Sequence, residues 1–140
     1  MKGTFLIFGI STASSLIFFY PPDVRRRKIT FFPVIEEEKR PKKGVKIAYF
    51  SYKHKGRKIE RSIFLVASPK EKDGFIALSP ICTHLGCRVY WDWAKKEFRC
   101  PCHGGRYDAL GRVIAGPPPA PLHRLPVKIV NGMINVGLKV

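Results

Sequence analysis

The sequence predicts an all-β fold: a small antiparallel β-sandwich domain of roughly 95 residues, preceded by an N-terminal transmembrane helix. Three observations predict it. From Val45 onward the apolar residues fall in short runs (VKIAYF, IERSIFLVA, GFIAL, CRVYWDW, LPVKIV and MINVGLKV), each bounded by turn residues. Twelve Pro and twelve Gly among 140 residues interrupt the chain too often for a helical bundle. Asn131-Gly132, between the last two runs, is a strong signal for a two-residue hairpin turn. With 45% hydrophobic residues the chain is too apolar for a disordered tail. Its length leaves no room for a separate substrate-binding domain, so any chemistry needs a bound cofactor or a larger assembly.

The chain divides into residues 1–20, 21–44 and 45–140. Gly3 to Tyr20 reads GTFLIFGISTASSLIFFY and contains no charge. Eighteen helical residues span roughly 27 Å, enough to cross a hydrocarbon core. Pro21 and Pro22 stop such a helix, and Tyr20 suits the interface. A cleaved signal peptide is the rival reading, but the apolar run continues through Phe19 with no cleavage site at its end. Residues 21–44 hold Arg25-Arg26-Arg27, Glu36-Glu37-Glu38 and the basic run from Lys39 to Lys43, broken by Pro33 and Pro41. They lack sustained periodicity and read as a solvated, flexible linker.

The formal net charge is +16, divided as +5 over residues 1–44 and +11 over residues 45–140. A field of that sign favours anionic lipid, an acidic protein partner or nucleic acid. The basic residues show no RNP-like aromatic pattern, helix-turn-helix spacing or zinc-finger spacing, so no nucleic-acid partner is expected.

All four cysteines and two of the four histidines fall within 22 residues. The first group is Cys82-Thr83-His84-Leu85-Gly86-Cys87 and the second is Cys100-Pro101-Cys102-His103-Gly104-Gly105. Four chemistries compete for them. Structural zinc wants four ligands, against six candidates, and Cys100-x-Cys102 is tight for chelation. Two disulfides leave both histidines unexplained. A nucleophilic Cys with a His partner gives no reason for the near-duplication. A two-iron, two-sulfide cluster, with two thiolates on one iron and two imidazoles on the other, uses two Cys and both His and leaves two cysteines for a disulfide.

CTHLGC and CPCHGG resemble the two cluster-binding boxes of the Rieske iron–sulfur proteins of cytochrome bc and b6f complexes. The resemblance implies one Rieske-type [2Fe-2S] cluster, with Cys82 and Cys100 on the inner iron and His84 and His103 on the outer one. It implies a disulfide between Cys87 and Cys102. It also implies that Tyr107 donates a hydrogen bond to a cluster cysteine and that Leu85 shields the cluster and packs into the quinol-binding subunit. Gly105 sits where high-potential members of the family carry a serine, which implies a lower potential here. Gly116-Pro117-Pro118-Pro119-Ala120-Pro121 resembles the family's proline loop. His54 and His123 read as ordinary structural histidines, His123 as a packing or surface residue after the Pro-rich loop.

The function implied is that of the Rieske subunit of a quinol–cytochrome c oxidoreductase in a respiratory chain. Such a subunit takes one electron from quinol bound in a cytochrome b subunit and passes it to a c-type cytochrome, with no quinol turnover alone. An alternative is the small subunit of another exported oxidoreductase, such as arsenite oxidase. The Arg run after the first segment would by itself keep the following part in the cytoplasm. The resemblance places the head on the outer, periplasmic face of a bacterial inner membrane, where a disulfide is stable.

Overall fold

The computed structural model describes residues 28–139. The membrane anchor expected over residues 1–20, and the first part of the expected linker, lie outside them. Among the described residues no helix is long and apolar enough to cross a membrane. Residues Phe31–Leu138 form one compact unit.

That unit is antiparallel β-structure in three sheets. The middle sheet contains β2 (Val45–His54), β3 (Arg57–Ala67), β4 (Phe75–Leu78) and β9 (Arg124–Leu125), in the order β2-β3-β4-β9. A second sheet has the order β1-β11-β10, from β1 (Ile29–Glu36), β10 (Val127–Val130) and β11 (Met133–Lys139). The third is a run of short strands, β5 (Tyr90–Asp92), β6 (Glu97–Arg99), β7 (Arg106–Tyr107) and β8 (Val113–Ala115), paired in chain order.

The part of the middle sheet formed by the second half of β3 and by β4 is buried on both faces, and its sequence shows why. Ile63 and Leu65 of β3 and Phe75 and Ala77 of β4 face a core shared with Ile134 and Val136 of β11. The intervening residues Phe64, Val66, Ile76 and Leu78 face a second core with Trp91, Phe98, Tyr107, Cys82 and Cys100. Alternate side chains of a strand point to opposite faces, so a strand with two cores reads as an unbroken apolar run. IFLVA and FIAL are such runs. The hairpin turns agree with their residues. Asn131 and Gly132 both have positive φ, at 50° and 71°, and join Val130 to its partner Met133. Lys55 and Gly56, at 48° and 77°, do the same between His54 and Arg57.

One expectation changes. Residues 29–39 differ from a solvated linker: Ile29–Glu36 is β1, followed by a 3-10 turn at Glu37–Lys39. Phe32, Val34 and Ile35 pack against the core beneath β11, and the Phe32 ring stacks on Tyr52 at 4.3 Å. Pro33 had argued against a strand. It sits in a strand at a sheet edge, where proline is tolerated.

Glu97 of β6 is almost fully buried and is satisfied by Arg106 of β7, whose Nε and Nη2 donate to both carboxylate oxygens at 2.7 to 3.1 Å. The hydrogen bonds from Arg106 hold the Glu97 carboxyl below its ordinary pKa, against the opposing effect of burial. A depressed folded-state pKa stabilises the fold above the unfolded value of about 4.3 and loses that contribution as pH falls through the folded value. Glu97→Gln should therefore melt below the parent at pH 7. The gap should narrow as the pH drops below about 4, as read by thermal unfolding across that range.

Candidate metal centre

Two turns build the site. The first, Cys82 to Cys87, leaves the end of β4 and is closed by a bridge between Ile81 and Arg88. The second, Cys100 to Gly105, joins β6 to β7. They close in the same way: the Cys82 N–H donates to the Cys87 carbonyl and the Cys100 N–H to the Gly105 carbonyl, each at 2.8 Å. Left-handed glycines turn each loop, Gly86 at φ 78° and Gly104 at φ 68°. In both turns the leading cysteine points into the core and the histidine lies towards solvent. Cys82 and Cys100 are 3% and 4% exposed and unbonded, whereas His103 is exposed and His84 half-buried.

The structure pairs the two histidines with each other and links the two turns through their cysteines. The rings of His84 and His103 meet edge-on with centroids 4.9 Å apart. Cys87 and Cys102 form a disulfide, with S–S 2.07 Å, which links the two turns covalently. The Sγ atoms of Cys87, Cys100 and Cys102 lie within 4.8 Å of one another. With two of them joined to each other, Cys100 keeps the free sulfur. His54 sits apart at the β2–β3 turn, and exposed His123 precedes β9.

Tyr107 supports the site from beneath. It is fully buried, and its hydroxyl lies 3.2 Å from each of Cys82 Sγ, Thr83 N and Thr83 Oγ1. The Thr83 N–H donates to it. The Thr83 hydroxyl gives its proton to the Ala120 carbonyl. The phenol proton is thus left for Cys82 Sγ or Thr83 Oγ1, and a thiolate is the stronger acceptor. Burial acts to raise the Cys82 thiol. The hydrogen bonds from Tyr107, the His84 backbone, Cys100 and the Leu85 backbone outweigh it and hold the pKa below the ordinary value. Burial also pushes the Tyr107 phenol up, so it keeps the proton it donates.

Thr83 therefore fastens the Pro-rich segment to the first turn, a role the sequence did not single out. Gly116 lets it pass close against the second. Its φ is +88°, and a Cβ there would lie 2.9 Å from both Gly104 O and Gly105 Cα. Leu85 is 69% exposed at the tip of the first turn.

One atom of the site lacks a partner that a metal ligand would have. His84 Nδ1 is buried and has no hydrogen-bond partner. A buried polar nitrogen without a partner costs free energy, and a metal bond would supply one. Two sheltered sulfurs beside two imidazoles fit the mixed ligand set of a binuclear iron–sulfur cluster. A single zinc leaves candidate donors over.

Comparison with known proteins agrees. The sequence profile of the Rieske [2Fe-2S] domain matches residues 35–128. The chain is 52% identical over 62 residues to the cytochrome b6-f complex iron-sulfur subunit of Chlorobaculum tepidum, covering 44% of this chain and 34% of that one. It is 39% identical over 71 residues to the corresponding subunit of Synechococcus elongatus, covering 51% and 40%. The chain thus spans well under half of these curated relatives. The soluble domain of the Rieske protein II from Sulfolobus acidocaldarius shares the fold, with a TM-score of 0.51, 22% identity and 76% of each chain covered.

The disulfide closes a loop with a sequence separation of 15. Constraining the unfolded chain over that length stabilises by about 3 kcal/mol. The double substitution Cys87→Ala with Cys102→Ala should lower the denaturant-unfolding free energy by an amount of that order, measured in urea at neutral pH.

Proposed function

Because the chain belongs to the family of Rieske [2Fe-2S] domains, whose members bind one such cluster, we propose that it is the electron-transfer subunit of a quinol–cytochrome c oxidoreductase. In this reading Cys82 and Cys100 hold one iron and His84 and His103 the other. The observation that carries it is the buried, unpartnered Nδ1 of His84, on a ring that meets His103 edge-on, in the same two turns that bury two free thiols. The cytochrome b6-f subunits among the relatives support the choice of complex.

When bound, the cluster accepts and returns one electron at a potential raised by its neutral imidazole ligands. The chain's own residues account for the rest. Cys82 and Cys100 lie in the core and exclude water from the inner side of the site. Tyr107 donates to Cys82 Sγ and offsets the negative charge that reduction adds. If His84 and His103 each held the group through one ring nitrogen, the second nitrogen of each imidazole would be left at the rim of the site. Oxidation of a hydroquinone releases both an electron and a proton, and an imidazole at the rim can receive the second while the site receives the first. Leu85, beside His84, packs into the quinol-binding cytochrome b subunit in this reading.

The electron then passes to a c-type cytochrome. Residues 1–20 anchor the chain in a bacterial inner membrane, and the residues before β1 connect that anchor to a head on the periplasmic face. The head turns over no quinol without its partners.

Two measurements test the proposal. Purified protein should contain two irons and two labile sulfides per chain, and its reduced form should give an EPR signal of lower average g than an all-cysteine cluster. Zinc without iron would end this reading. Separately, Tyr107→Phe removes a hydrogen bond to a charged sulfur, worth about 1.5 kcal/mol, so the midpoint potential should fall by roughly 60 mV in a redox titration.

A further inference from the structure

Gly105 poses a question that its backbone does not answer. It is buried, and it is not among the residues with positive φ, so any amino acid could adopt its conformation. Space explains the glycine. A Cβ at position 105 would lie 2.6 Å from Pro118 Cγ, 3.1 Å from Pro118 Cδ and 3.5 Å from Cys100 Cβ. The first distance is a collision, and the third places the missing side chain against a sulfur-bearing residue of the site.

The neighbour cannot give way cheaply. Pro118 is buried, its ring is rigid, and Pro117 and Pro119 flank it. The segment passes close against Gly104 and Gly105 at Gly116, and the Thr83 hydroxyl holds it at the Ala120 carbonyl. Beyond it, the Leu122 N–H donates to Gly111 O at 2.8 Å.

We propose that Pro118 occupies the volume of a side chain at position 105, and that this interlock keeps hydrogen-bond donors away from the Cys100 side of the site. Pro118 is then a positioning residue that sets the potential through position 105. A serine there can donate to the sulfur side only if residue 118 first becomes small. This rests on the reading that the site holds the cluster. The glycine and the Pro-rich segment form one steric unit: changing either alone disturbs the site, and changing both converts it.

The test uses the full chain loaded with cluster, as parent, Gly105→Ser, Pro118→Ala and the double substitution. Pro118→Ala removes Cγ, the colliding atom, and Cδ, which is held tight beside it. Gly105→Ser alone should lift the segment and speed amide hydrogen exchange at Leu122 by about tenfold or more. In the double variant exchange should return towards the parent rate, and the midpoint potential should rise by more than the sum of the two single shifts. Additive shifts would overturn the proposal, as would a Gly105→Ser protein that reaches the full rise with Leu122 exchange unchanged.

If Gly105→Ser takes up no cluster, Gly105→Ala with and without Pro118→Ala gives the same answer by thermal unfolding. Recovery of most of the lost melting temperature in the double supports the interlock, and a further loss equal to that of Pro118→Ala alone refutes it. A parent chain that binds no iron defeats the proposed function but leaves this melting comparison intact.

Discussion

Two short turns, one closed by the Ile81–Arg88 bridge and one joining β6 to β7, must meet with their leading cysteines inward and their histidines outward. Everything distinctive about this fold follows from holding that meeting in place. Cys82 is buried, and a buried thiolate needs compensation. The compensation is local: N–H groups of the same turn, the neighbouring thiol, and one phenol rising from the sheet below. Tyr107 is fully buried in a two-residue strand, a position of little use for pairing but of much use for aiming a hydroxyl.

Rigidity of that aim comes from the packing beneath. The Tyr107 ring lies in the same core as Phe98, Phe64 and Leu78, with Phe64 and Phe98 at 4.7 Å. Phe64 and Leu78 belong to the middle sheet, whose other face is closed by the β1-β11-β10 sheet. The site is thus the outermost of several stacked layers, and the double-sided burial of β3 and β4 sets the height at which the turns emerge. The disulfide and the Thr83 bond then fix the turns and the Pro-rich segment laterally.

How far this could be read from the sequence depends on the kind of signal each residue leaves. Unbroken apolar runs marked β3 and β4, and Asn131-Gly132 marked its turn, because those features are local. The clustered Cys and His residues marked the site, because few alternatives use them all. The β1 strand was hidden by Pro33 and by charges on either side, since its burial comes from β11, about a hundred residues later. The strands β6, β7 and β8 were hidden because they are two or three residues long and carry Glu97, Arg99 and Arg106, whose mutual pairing offsets their polarity. Thr83 left no signal, and Pro118 was marked only as one residue of the proline loop. What they do depends on Ala120 and Gly105, which reach them only through the fold.

The burial gradient across the site carries the functional argument. Electron tunnelling weakens steeply with distance, so a centre that must exchange electrons with a partner has to approach the surface, while its sulfurs must stay out of water. The structure meets both demands by residue type. The sulfurs lie within the core, and the imidazoles, which tolerate water and can handle protons, stand at the rim beside an exposed leucine. A lone exposed leucine is ordinary on a protein surface. Here it adjoins His84 at the tip of a covalently braced turn, so a partner that covers Leu85 also desolvates the histidine edge through which proton and electron would pass.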